Sequence, residues 1–168
     1  LSDKAVCNPV PSSKTVPFSA NCGPSSGVMD ADIGDDFIRN VRIGESEMNV
    51  DVPCDTMSNI IAEAGLKHVD LFSIDVEGSE AKLVSSIDFS KVSIHVIVIE
   101  MDHCSVEDRE VVATELSGAG FTSVGFVMGD EIWVNENNAA NSFGVYAPAE
   151  ERTHSAPAVR ILPCTALG

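Results

Sequence analysis

Residues 69–100 read VDLFSIDVEGSEAKLVSSIDFSKVSIHVIVIE, and no other stretch limits the fold as tightly. An apolar run, VDLFSIDV at 69–76, ends in the carboxylates Asp75 and Glu77 followed by Gly78. SEAKLVSSID then places Leu83, Val84 and Ile87 on one helical face, and VSIHVIVIE at 92–100 is almost wholly apolar. A strand that apolar is expected to be covered on both faces, as in a parallel sheet. Strand, helix and strand in this order predict two parallel strands joined by a right-handed crossover.

The flanks extend the pattern. MNVDV at 48–52 alternates and is expected to end as a strand at Pro53, with Asp55 capping the next helix. In that helix Met57, Ile60, Ile61 and Ala64 share a face, and Gly65 stops it. Ser105 through Asp108 reads as a capping box opening a helix with Val112 and Leu116, which runs to Gly118-Ala-Gly120. FTSVGFV and DEIWVN predict a closing hairpin with its turn at Gly129-Asp130, Phe126 and Trp133 serving as core anchors. The expected class is α/β: the carboxyl-terminal half of a doubly wound sheet over 48–135. Before it lies a loop-rich segment, 1–47, with one or two short strands, and after it an extended tail, 136–168.

Composition removes several functions. A formal net charge of −16 argues against nucleic acid, because phosphate binding needs clustered Lys and Arg. It predicts a well-solvated acidic surface on a soluble protein, or one that docks on a basic partner. The longest apolar run is too short to span a bilayer. No presequence pattern opens the chain, and its first residue is Leu1, which is expected of a processed or trimmed chain, for example in an organelle. Five cysteines without a C-x-x-C fit neither a zinc finger nor a redox pair; a Cys7–Cys22 bridge is one option, small buried hydrophobes the other. The aspartates at 30–36 lack the glycine placement of an EF-hand and read as a solvated loop.

Ligands of open α/β sheets bind beyond the carboxyl ends of parallel strands. That rule brings Asp75, Glu77 and Gly78 from one strand to the same rim as Glu100, Asp102 and His103 from the next. Such a set could accept a proton from a substrate hydroxyl or, through Asp75, Glu77 and Asp102, hold a divalent cation. The plainer reading gives Glu77 and Glu80 to the helix dipole, and Asp102 and His103 to a solvated loop. Elsewhere, His95 reads as a satisfied core histidine, His68 and His154 as single loop residues, and Ser73 has no triad partner. Gly118-Ala-Gly120 ends a helix and precedes a strand, the wrong order for a phosphate-binding turn.

The run from Val69 to His103 resembles the FkbM-type methyltransferases. Asp75, Glu77, Gly78, Glu80 and Glu100 match that family's aspartate-x-glutamate-glycine turn, its following helix and its second strand end. The lead-in VDVPCDTMSNIIAEAGLKHVDLF and the close LSGAGF…GDEIWVN also fit, and LSDK at 1–4 matches weakly. The resemblance implies a Rossmann-like sheet, S-adenosylmethionine as methyl donor, methylation of hydroxyls, and Asp75, Glu77, Glu100 and His103 as catalytic residues. The family's donor-binding glycine-rich turn has no counterpart, since no G-x-G in these residues precedes a helix. Two readings follow. One is the carboxyl-terminal part of a methyltransferase, inactive as this chain alone. The other is a non-catalytic adaptor of methyltransferase descent within a larger assembly. In both, strand 69–76 loses a neighbour and needs upstream chain or a protein partner to cover it.

Overall fold

A computed structural model of the protein describes residues 3–19, 27–28, 49–102 and 104–135. The architecture is mixed α/β with two four-stranded mixed sheets among these residues. The strands are β1 (Ala5–Val6), β2 (Thr15–Ser19), β3 (Gly27–Val28), β4 (Asn49–Asp55), β5 (His68–Ile74), β6 (Ser93–Glu100), β7 (Phe121–Val127) and β8 (Asp130–Asn135). The helices are α1 (Met57–Glu63), α2 (Glu80–Ser85) and α3 (Val106–Gly118).

The second sheet, ordered β5-β6-β8-β7, is the one the apolar patterning predicts. β5 and β6 pair in parallel through the crossover that holds α2, and the β7–β8 hairpin adds β8 antiparallel to β6. Ile94, Ile97 and Ile99 of β6 are buried, and they belong to both of its faces. Ile74, Leu83, Val84, Val112, Leu116, Phe121 and Trp133 complete the same core. β5 is an edge strand among the described residues, with Leu71 60% exposed.

The first sheet, ordered β1-β4-β2-β3, has no counterpart in the sequence reading beyond short strands. β4 does not stop at Pro53 but runs through it to Asp55. The Cys54 amide donates to the Lys14 carbonyl, so the hydrogen that Pro53 lacks would point away from β2. On that side β1 pairs only with Cys54 and Asp55, so the missing donor costs no ladder bond there. Cys7 is bridged to Cys54, not to Cys22, which ties β1 to β4 across 47 residues of sequence. Cys22, the aspartates at 30–36, His154 and the 136–168 tail lie outside the described residues.

Local signals explain most boundaries. The cap of α1 is Thr56, whose hydroxyl accepts from the Asn59 amide; Asp55 instead ends β4 and accepts from the Thr56 amide and the Asn59 side chain. Gly65, at φ +71°, ends α1 with the Leu66 amide donating back to the Ile61 carbonyl. Ser105 caps α3 by accepting from the Asp108 amide. The hairpin turns at Met128-Gly129, one residue before the expected place, with both residues at positive φ. Phe126 is 63% exposed and is not a core anchor; Trp133 is buried. His68 opens β5 and is not a loop residue.

Candidate active site at the ends of two parallel strands

β5 ends at Ile74, so Asp75 is the first residue beyond the sheet. Glu77 then adopts φ +55° and Gly78 φ +90°. A left-handed glutamate is uncommon and needs fixing from outside. Glu80 supplies it. Its side chain is buried, and Oε1 accepts from the amides of Val76 at 3.0 Å and Gly78 at 3.2 Å. The turn is thereby tied to the first residue of α2, and the carboxylate sits where the helix dipole favours it. Glu80 is thus a backbone anchor, whereas Asp75 is exposed and Glu77 half-buried.

Glu100 closes β6 on the neighbouring strand. One carboxylate oxygen from each of Asp75, Glu77 and Glu100 lies within 4.8 Å of the others. Asp102 stands apart from this group among the described residues. Its carboxylate packs against the hairpin turn, 2.5 Å from where a Cβ on Gly129 would sit. His103 lies outside the described residues. The segment after β6 is held by Arg109, whose guanidinium donates to the carbonyls of Met101 and Cys104.

Two further residues border the site without a clear mark in the sequence. Asp130 is the register partner of Glu100 across β6 and β8, a pairing that depends on how the distant hairpin docks. Cys104 places its thiol 3.4 Å from Glu80 Oε2. Burial first, then the adjacent Glu80 charge, pushes the Cys104 pKa well above the ordinary thiol range. That shift favours the thiol over the nucleophilic thiolate.

Three oxygen donors on the rims of adjacent parallel strands can accept a proton from a hydroxyl and orient it. A family model described as the methyltransferase FkbM domain matches residues 18–123, well over half of the chain. The chain belongs to the FkbM methyltransferase family. No curated protein and no solved structure matches it. The FkbM match covers β5, the acidic turn, α2, β6 and α3, and it reaches back across the first sheet to Phe18. S-adenosylmethionine is the donor type this family membership suggests. The rim residues Asp75, Glu77 and Glu100 of this FkbM domain are all acidic, and the described residues include no glycine-rich turn leading from a strand into a helix. No helix among the described residues is long and apolar enough to cross a membrane.

Proposed function

We propose that the β5–β6 rim is the acceptor side of an S-adenosylmethionine-dependent O-methyltransferase site in a Rossmann-like sheet. The observation that carries this reading is the convergence of Asp75, Glu77 and Glu100, on a turn whose backbone Glu80 holds rigid. The bound donor supplies an activated methyl group. The rim carboxylates accept the hydrogen of the acceptor hydroxyl and align its oxygen, and the same three oxygens suit a hard divalent cation that would do so in their place. Among the described residues no strand covers the outer edge of β5, and further chain or a protein partner placed there would complete the donor side.

The test is methyl transfer from tritiated S-adenosylmethionine to a panel of hydroxyl acceptors by the natural full-length protein. Asp75→Asn and Glu77→Gln are expected to lower kcat by about 100-fold or more, the usual contribution of a general base, with donor binding kept. Wild-type rates in both variants would overturn the assignment. These 168 residues alone are expected to show no saturable donor binding by equilibrium dialysis, and tight binding would defeat that part.

The edge position of β5 and the exposure of Leu71 favour a second reading, a methyltransferase-derived adaptor whose partner covers that edge. It predicts a stable heteromeric complex and no transfer to any acceptor. The Cys7–Cys54 bridge supports an oxidising compartment under either reading.

A further inference from the structure

The opposite ends of the same two strands carry a different set of side chains. His68 and Asp70 stand at i and i+2 on β5 and so share a face. The parallel register pairs His68 with Ser93 and Leu71 with Val96, which brings His95 beside Asp70 on that face. His68 Nε2 is 3.1 Å from Asp70 Oδ1, and His95 Nδ1 is 3.9 Å from the same oxygen. One ligand atom from each residue lies within 4.8 Å of the other two. Tetrahedral zinc with bonds of about 2.0–2.1 Å puts its ligand atoms roughly 3.4 Å apart, so small side-chain rotations would close the set.

We propose that His68, Asp70 and His95 form a binding site for a zinc-type divalent transition metal. Two imidazoles and one carboxylate suit zinc and its neighbours, whereas magnesium and calcium favour all-oxygen sets. Ser93 Oγ lies 3.4 Å from His68 Nδ1, placed to accept its proton and leave the Nε2 lone pair for the metal. The His95 ring also meets the His68 ring edge-on with centroids 4.5 Å apart, so the two imidazoles and the Asp70 carboxylate form one cluster. The side chains are 44%, 90% and 14% exposed for His68, Asp70 and His95, so the fourth position faces water or an external ligand. The site is independent of the acidic rim, and neither assignment rests on the other.

Cobalt(II), then zinc chloride, titrated into the chelator-treated full chain tests this by visible absorption and calorimetry. One equivalent of cobalt is expected to give the bands of a four- or five-coordinate ion, displaced by zinc but not by a large excess of magnesium. His68→Gln and His95→Gln are each expected to weaken zinc binding by about 100-fold or more, and Ser93→Ala by about 10- to 100-fold. Asp75→Asn should leave it unchanged. Circular dichroism checks that His95→Gln folds; if it does not, the exposed His68→Gln decides. Absence of saturable zinc binding overturns the proposal, as does binding that survives His68→Gln or is lost with Asp75→Asn.

Discussion

The two sheets are held together by different forces. In the β5-β6-β8-β7 sheet, strands of six to eight residues bury isoleucines in an apolar core to which all three helices contribute. In the β1-β4-β2-β3 sheet, two strands have only two residues, and among the described residues the buried apolar side chains in or next to it are Cys7 and Cys54, with Val6 partly buried against the other core. There a covalent link replaces a core. Polar contacts then dock β1 and the loop after it onto the helices: Lys4 reaches Glu63 at 2.6 Å, and the Asn8 side chain donates to the Ser85 carbonyl. Short strands can hold a sheet when their ends are tied, whereas longer apolar strands need only be covered.

The largest test is Cys54→Ala. Closing a loop of 47 residues' separation is worth about 4 kcal/mol in the chain-entropy account. Hydrogen exchange should accelerate in β1, β2 and β4 while β5, β6 and β8 stay protected. Simultaneous loss everywhere would break the contrast between the sheets. Ile97→Ala, at a fully buried position of β6, should cost about 3 kcal/mol in urea denaturation and open the second sheet first. Ser105→Ala removes the α3 cap and should cost about 1 kcal/mol, felt in the second sheet only.

The smallest effect sits in the link between α2 and β6. Asp88 is held down to about 2, chiefly by the Lys91 ammonium and then by Ser90. A depressed carboxylate stabilises the fold above its unfolded pKa and loses that contribution as pH falls through the folded value. Asp88→Asn should therefore slightly flatten the decline in stability between about pH 4 and pH 2 in acid titrations, the ion pair being partly exposed and screened by solvent.

Legibility in the sequence followed the same division. The strand at 69–76, the helix behind it and the apolar strand at 92–100 were readable because burial imposes periodicity, and an uncovered edge on β5 was what the family resemblance implied. The first sheet was not readable. Two-residue strands carry no period, Pro53 points to a strand end unless its neighbours are known, and the Cys7–Cys54 pairing depends on three-dimensional proximity. At the rim, Asp75, Glu77 and Glu100 could be named from the strand ends, but Asp130 could not, because the register of β8 on β6 is a long-range fact. His68 and His95 looked unrelated at 27 residues' separation, and only parallel pairing makes them neighbours.

Glu80 carries a consequence for how such chains drift over generations. Asp75, Glu77 and Glu80 lie together in the sequence as three acids, yet the buried one answers to the backbone, whereas in the reading proposed above the other two answer to whatever occupies the rim. Relaxed selection on catalysis would release Asp75 and Glu77 to vary and leave Glu80 in place, because its loss strands two amides. Descendants that keep the turn but not its rim acids would be folded relics, so Asp75 and Glu77 are the positions at which lineages could be sorted into working enzymes and retired ones.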